Sequence, residues 1–307
     1  MHVDVVEIQL RKPSMTYRAG QYLFLNCPSI SPTQWHPFTI TSCPYDPYIS
    51  VHVRLAGDFT CALASALGAG PAQASLYDDL DPHGMYEVAL AHGQALPALR
   101  IDGPYGAPAE DVFDNEVAVL VGTGIGVTPW ASVLKGAWHM RRLRRTNRLR
   151  RVEFVWVCRD TSSFEWFQAL LASLEAQSEA EAAAHLRAEG DGKEGSSEFL
   201  RIHTYLTQRL DIDAATNIVL HSVGAPRDPL TGLGTRTNFG RPDFGKLLRG
   251  LRDGIVAEAP ATGGGAAKQT NVGVYFCGPN AAGRDVKRAC RATTGGRVRF
   301  RFWKEHF

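Results

Sequence analysis

The sequence predicts a β + α/β chain, an antiparallel β-barrel followed by a doubly wound parallel sheet. Three observations point there. Apolar residues alternate with period two through Ile49, Val51, Val53 and Leu55, the mark of a half-buried strand. Beyond Val117 apolar strands alternate with helical stretches, the rhythm of right-handed crossovers in a parallel sheet. Between the first of those strands and its helix stands the glycine turn Gly122-Thr-Gly-Ile-Gly-Val-Thr-Pro129.

In the first half, strands are expected at Val3 to Leu10, Tyr22 to Leu25 and Ile49 to Leu55, separated by Pro, Gly, Ser and Asp punctuation. A short helix is expected over Cys61 to Leu67. At 307 residues the chain has room for two cores of roughly 100 to 200 residues each, and the change of rhythm puts their boundary near residue 112, giving domains 1–112 and 113–307. In the second half, strands fit Val117 to Val121, Glu153 to Val157, Arg201 to Leu206, Gly273 to Cys277 and Val298 to Trp303. Helices fit Thr128 to Met140, Phe164 to Glu175 and Ala281 to Arg291. Two inserts, 176–198 (rich in Ala, Glu, Gly and Ser) and 257–270 (with Pro260 to Gly265), carry too little apolar surface to offset their ordering entropy and are expected to be mobile loops.

Composition narrows the classes of partner. Apolar content of 44%, charged content of 21% and a net charge of +2 are those of an ordinary globular chain and give no case for nucleic acid. The six cysteines, Cys27, Cys43, Cys61, Cys158, Cys277 and Cys290, show no C-x-x-C spacing, which speaks against a zinc site or a disulfide scaffold and for a reducing compartment. No apolar window approaches about 18 residues and no signal peptide opens the chain, so the piece as given is expected to be soluble and cytosolic. It begins inside a strand-like segment, and is expected to be part of a longer polypeptide.

Glycines in the 122–126 turn let main chain approach a phosphate, and the following helix offers unpaired N–H groups and the positive end of its dipole. The turn departs from G-x-G-x-x-G, since Val127 or Pro129 stands where the last glycine belongs. Pro129 suits a first helical turn. The feature is therefore another kind of nucleotide turn or a plain strand-to-helix connection. Gly103-Pro-Tyr-Gly106 reads as a tight turn or a second site element. Nearby stand Trp35-His-Pro-Phe-Thr-Ile-Thr-Ser42 and His52-Val-Arg54, where hydroxyls beside an aromatic can face a flat ring and an arginine can neutralise a pyrophosphate.

Together these stretches resemble the ferredoxin-reductase-type flavoprotein dehydrogenases, and specifically the C-terminal dehydrogenase region of the superoxide-forming NADPH oxidases. The likeness spans nearly the whole chain, adding Ala19 to Tyr22, Cys158-Arg-Asp160, Phe164 to Phe167, Thr231 to Leu233, Gly240-Arg-Pro242, Cys277-Gly-Pro279 and Phe307. The run Thr235 to Asp243 is most similar to fungal members. The resemblance implies a ferredoxin-reductase-like fold that binds FAD and NADPH. By it, His36, Pro37, Phe38 and Thr39 would hold the flavin ring and ribityl chain, and Arg54, from the His52-Val53-Arg54 stretch, would meet the FAD pyrophosphate. Many relatives carry arginine where His36 stands, which shifts that phosphate contact to Arg54. Gly103, Tyr105 and Gly106 would border the cofactors. Gly122, Thr123, Gly124, Gly126, Thr128 and Pro129 would take the NADPH pyrophosphate, Cys277, Gly278 and Pro279 would border the nicotinamide, and Phe307 would stack over the flavin until nicotinamide displaces it.

Cofactor choice has its own argument. A 2′-phosphate calls for a cation where an NAD site ends its second strand in a carboxylate. Arg159 follows that strand, with Arg236 and Arg241 as weaker candidates, and favours NADPH; Asp160 offers a competing reading through a ribose hydroxyl. Cys277 is either an inert small hydrophobe at a strand end or a residue that orders the rings while the flavin does the redox work. The seven arginines of Arg141 to Arg151 read as a solvated surface, with an acidic partner or anionic lipid as the functional alternatives.

The resemblance further implies hydride transfer from NADPH to FAD, then single electrons passed to haems of an upstream transmembrane domain of the same polypeptide and on to oxygen, forming superoxide at the cytosolic face of a membrane. Cytosolic activator proteins are possible partners. A ferric-chelate reductase, an NADPH-linked reductase of a soluble acceptor, and a silent interaction module that keeps the fold are the alternatives. No metal site is expected.

Overall fold

The computed structural model describes residues 5–11, 15–69, 96–143, 148–161, 165–189, 199–208, 218, 224–258 and 269–305. It divides into two compact units. One comprises Met1–Glu110 with Thr128–Gly136; the other comprises Asp111–Val127 with Ala137–His306.

In the first unit, strands β1 (Val5–Arg11) and β4 (Tyr48–Arg54) pair antiparallel, Val5 facing Arg54 and Arg11 facing Tyr48. Strands β2 (Tyr22–Asn26), β3 (His36–Thr39) and β5 (Arg100–Tyr105) form a second antiparallel sheet in the order β3-β2-β5. A bridge between Ile40 and Val51 joins the two ladders, so that where a barrel was expected the described residues form two bridged antiparallel sheets. Leu23, Leu25, Ile40, Ile49, Val51 and Leu63 are fully buried in the core between them. Helix α1 (Asp58–Ala66) begins three residues earlier than expected, because Thr60 closes its first turn by accepting the Gly57 N–H at 3.1 Å.

The second unit holds a six-stranded parallel sheet: β6 (Val117–Thr123), β7 (Arg151–Cys158), β8 (Leu200–Leu206), β9 (Asn238–Phe239), β10 (Thr270–Cys277) and β11 (Val298–Lys304), in the order β11-β10-β6-β7-β8-β9. The chain starts in the middle, winds outward through β7 and β8, then returns to the other side of β6. Successive strand residues point to opposite faces. Val117, Val119, Val121 and Val155 meet Leu248, Leu251 and Ile255 of α4 (Phe244–Glu258) and Val286 and Ala289 of α5 (Asn280–Thr293). On the other face, Phe154 and Trp156 pack against Phe167 of α3 (Glu165–Glu189). Helix α2 (Thr128–Arg142) follows β6.

Three departures from the sequence reading have physical causes. The 176–198 insert is helical as far as Glu189: its Ala, Glu and Gln are strong helix formers, Ser178 is buried, and Glu181 pairs with Arg141 at 3.0 Å. Residues 190–198 lie outside the described set. Of the 257–270 insert, 257 and 258 finish α4 and Thr270 opens β10, the stretch 259–268 being likewise outside. Helix α4 was not anticipated, although Asp243 caps it by accepting the Lys246 N–H at 2.9 Å and Leu248, Leu251 and Ile255 recur at helical spacing.

Among the described residues no helix is long and apolar enough to cross a membrane.

Candidate functional site

In a doubly wound sheet the strand order reverses at one point, and ligands gather outside the carboxyl ends of the strands there. Here the reversal lies between β6 and β10, whose last paired residues are Gly122 and Cys277. The glycine turn leaves β6 at that spot: Gly124–Val127 form one 3-10 turn and run straight into α2, with Pro129 in its first turn. Thr128 and Pro129 are buried. Gly124 has φ +56° and open space where a Cβ would stand, whereas a Cβ on Gly126 would lie 2.6 Å from the Cys277 carbonyl oxygen. One glycine opens toward solvent, and the other is closed against β10. Gly278, at φ +151°, leaves no room for a side chain beside Thr123, whose Oγ1 would be 2.8 Å from a Cβ. The structure thus brings together Gly122, Thr123, Gly124, Gly126, Cys277 and Gly278, with exposed Pro279 starting α5.

Burial, with a smaller push from Glu305, raises the Cys277 thiol to about 12. It is a neutral thiol at physiological pH, unsuited to nucleophilic work. Glu305, a carboxylate only 3% exposed, was not singled out from sequence, where it is one acidic residue in a mixed C-terminal run. Its burial is visible only once β11 is seen to end beside β10, the Glu305 N–H bonding to the Phe276 carbonyl at 2.9 Å.

Arg159 is exposed just past the end of β7, and Asp160 next to it is half-buried. Arg241 is exposed after β9. Arg236 donates to the carbonyls of Ala225, at 2.6 Å, and Arg227, at 3.2 Å, so its guanidinium ties its own loop together. The same loop wraps the buried Asp228 carboxylate, which accepts N–H groups from Leu230, Thr231 and Thr237. A cavity of about 150 Å³ lies beside Leu200, Arg201 and His203 at the start of β8, away from the carboxyl ends where the glycine turn sits.

In the first unit, His36, Pro37, Phe38 and Thr39 form β3, opposite Leu25, Phe24, Leu23 and Tyr22. The His36 ring stacks on Phe59 of α1, centroids 3.8 Å apart and planes 21° apart, and its buried Nε2 has no hydrogen-bond partner among the described residues. A buried polar atom left without a partner is costly unless a ligand satisfies it. That nitrogen, the exposed Arg54 at the end of β4 and the open glycine turn are the features a flavin and a pyrophosphate require, and the residues present fit both groups.

A polar chain links Thr41, Ser42 and His52, which the sequence reading places near the flavin, to Ser50, Tyr17 and the Cys43 carbonyl, which it does not. Thr41 Oγ1 lies 2.9 Å from both His52 Nδ1 and Ser50 Oγ, Ser42 Oγ accepts the Ser50 N–H at 2.9 Å, and the Tyr17 hydroxyl donates to the Cys43 carbonyl at 2.7 Å. Burial lowers the His52 pKa to about 4, with Glu7 pulling upward and Lys135 downward. Thr41 and Ser42, just past β3, and Ser50 in β4 are all fully buried. Val53 is buried in the hydrophobic core of this unit. At the end of β5, Tyr105 donates to Asp102 at 2.6 Å, Gly103 at φ +138° lets β5 lie close against Leu23, and a Cβ on Gly106 would sit 3.0 Å from Glu110. Phe307 lies outside the described residues.

The arginine run does not behave as one solvated surface. Arg151 is 5% exposed and contacts Glu153 at 2.6 Å and Glu258 at 3.0 Å, while Arg141 pairs with Glu181 and lies over the Phe199 ring. Arg142, Arg148 and Arg150 are the exposed members among the described residues, Arg150 being 69% exposed and bonded to Glu116. Arg144 and Arg145 fall outside the described residues.

Antiparallel sheets carrying an H-P-F-T strand, followed by a parallel sheet with a glycine turn at its reversal point, are the architecture of a flavin- and nicotinamide-nucleotide-binding reductase module. Comparison with known proteins agrees. Residues 1–109 match the family described as FAD-binding domain, and residues 115–291 match the ferric reductase NAD binding domain; the chain belongs to this ferric reductase NAD-binding family. It is homologous along its whole length to NADPH oxidases: it is 37% identical to NADPH oxidase 3 of Rattus norvegicus over 99% of this chain and 46% of that protein. It is 35% identical to a superoxide-generating NADPH oxidase heavy chain of Dictyostelium discoideum, over 99% of this chain and 52% of that protein. The chain therefore spans about half the length of these relatives. A ferredoxin NADP+ reductase from Neisseria gonorrhoeae shares the fold at TM-score 0.52 and 14% identity, over 97% of this chain and 92% of that one.

Proposed function

We propose that this chain is the dehydrogenase module of a superoxide-forming NADPH oxidase. The observation that carries the reading is the joining of Gly122–Gly126 and Cys277–Gly278 at the sheet's reversal point, in a chain that also presents the orphaned His36 nitrogen and is homologous throughout to oxidases. FAD, when bound, accepts hydride from NADPH and releases electrons one at a time.

The chain's own residues bind and orient. His36 to Thr39 hold the flavin ring and ribityl chain, Arg54 the pyrophosphate, and Gly103, Tyr105 and Gly106 border the cofactors. The Gly122 to Pro129 turn takes the NADPH pyrophosphate on its N–H groups. Arg159, aided by Arg241, meets the 2′-phosphate, which selects NADPH over NADH. Cys277, Gly278 and Pro279 shape the nicotinamide site, and Phe307 guards the flavin. The boundary between the flavin-binding and nucleotide-binding domains falls near residue 112. In the full-length protein the electrons pass to haems of an upstream transmembrane domain, the module lying on the cytosolic face and answering to cytosolic activators.

The test is direct. Purified protein reconstituted with FAD should retain a yellow chromophore and oxidise NADPH in the presence of a dye acceptor. Rates equal to those of free FAD would reject the reading. The family description, ferric reductase NAD binding domain, favours a second reading in which the terminal acceptor is a ferric chelate. Full-length protein in membranes, given oxygen or ferric chelate as competing acceptors, separates the two.

A further inference from the structure

The glycine turn is held from a strand that contributes no residue to it. Trp156 stands on β7 opposite Gly122, and its indole Nε1 donates to the Gly124 carbonyl at 3.2 Å. The ring is 1% exposed and packs edge-on against Phe167 of α3, centroids 5.3 Å apart, so the donor is fixed before any ligand arrives.

The consequence follows from peptide geometry. In a planar trans peptide the C=O of one residue and the N–H of the next point in opposite directions. Drawing the Gly124 carbonyl toward Trp156 on the sheet therefore turns the Ile125 N–H away from the sheet, in a turn where Gly124 has open space in place of a Cβ. The turn's other flank cannot give way, because Gly126 abuts the Cys277 carbonyl.

We propose that Trp156 is a positioning residue of the dinucleotide site, aiming the Ile125 N–H at the pyrophosphate by fixing the Gly124 carbonyl. This role rests on the glycine turn being the NADPH phosphate site. Its contribution is preorganisation: the turn need not be ordered when the nucleotide binds.

Trp156→Phe keeps an aromatic ring against Phe167 and deletes the donor, together with part of the buried ring volume. In FAD-loaded protein, NADP+ titrated calorimetrically should bind about ten-fold more weakly to this variant, and KM for NADPH should rise with kcat unchanged. FAD affinity should match that of the unsubstituted protein, while the thermal midpoint falls with the lost ring volume. The benzothiophene isostere of tryptophan keeps that volume and lacks the N–H, and should show the weaker NADP+ binding with an unchanged midpoint, which separates positioning from a general packing role. Should the phenylalanine variant fail to fold, the isostere alone carries the test. An NADP+ affinity within about two-fold of the original, or a loss matched by equal loss of FAD affinity, overturns the assignment while leaving the module reading intact. Failure of the unsubstituted protein to bind NADP+ overturns both.

Discussion

The carbonyl oxygen of Cys277 lies 2.6 Å from the point that a Cβ on Gly126 would occupy, so the glycine turn and the strand-end cysteine form one packed junction. Backbone, not a flexible side chain, is the obstacle. Gly126→Ala must push the turn off β10, and is expected to weaken NADP+ binding at least ten-fold and to cost about 1–3 kcal/mol of stability. Calorimetric titration and urea unfolding measure the two effects; an alanine variant with unchanged affinity would show that the junction is not the nucleotide site.

Cys277 itself is held as a neutral thiol by burial, at about 12. Alkylation by iodoacetamide should stay slow from neutral to mildly alkaline pH. Cys277→Ala should fold normally and bind both cofactors, while slowing hydride transfer by roughly 10- to 100-fold through loss of ring alignment. Stopped-flow reduction of the flavin reads this step alone.

In the proposed reading, exposed Arg159 is the cation that meets the 2′-phosphate. Arg159→Glu should raise KM for NADPH about ten-fold or more and leave KM for NADH little changed. Equal effects on both nucleotides would transfer the recognition to another residue, with exposed Arg241 the next to test.

His52 has a folded pKa lowered to about 4 from 6.5, chiefly by burial. Between those values the unfolded chain binds a proton that the folded chain refuses, so stability is complete above about 6.5 and declines as pH falls toward 4. The full shift corresponds to about 3 kcal/mol. Denaturation of FAD-free protein across this window should show that loss, and His52→Gln should flatten it; an imidazole seen by NMR to titrate near 6.5 contradicts the buried, neutral assignment.

Glu153 is the hub of a buried polar cluster, with Arg151 at 2.6 Å and His203 at 2.7 Å. Burial pushes its carboxyl pKa upward, but His203 and Arg151 outweigh that and leave it below the ordinary 4.5. Its contribution is therefore present above about pH 4.5 and lost as acid carries the solution through the lower folded value. Glu153→Gln should destabilise the protein at neutral pH by roughly 3 kcal/mol, moderated because Arg151 retains Glu258, and should lose that part of the acid dependence.

Period-two alternation at Ile49 to Leu55 and the apolar runs at β6, β7, β8, β10 and β11 were legible because they are local. Burial of those faces requires those residue types wherever the chain goes. The glycine turn was equally legible, and the ordered set of motifs announced the family. Helix α4 was missed although its Asp243 cap and leucine spacing are written in the chain, and the Ala- and Glu-rich stretch to Glu189 was misread because low apolar content outweighed helix propensity.

By itself the sequence determined the two kinds of sheet and their order, since periodicity depends on near neighbours alone, and its ordered motifs, through their resemblance to a known family, supplied the chemical class of ligand. Only tertiary structure decided that Gly126 closes on Cys277, that Trp156 reaches Gly124, that Arg151 leaves the surface for Glu153 and that Arg236 is engaged by its own loop. Each pairing joins residues from about 2 to 151 positions apart or depends on which face a strand turns inward. Such contacts follow from strand order and register, and no single stretch of the chain encodes either.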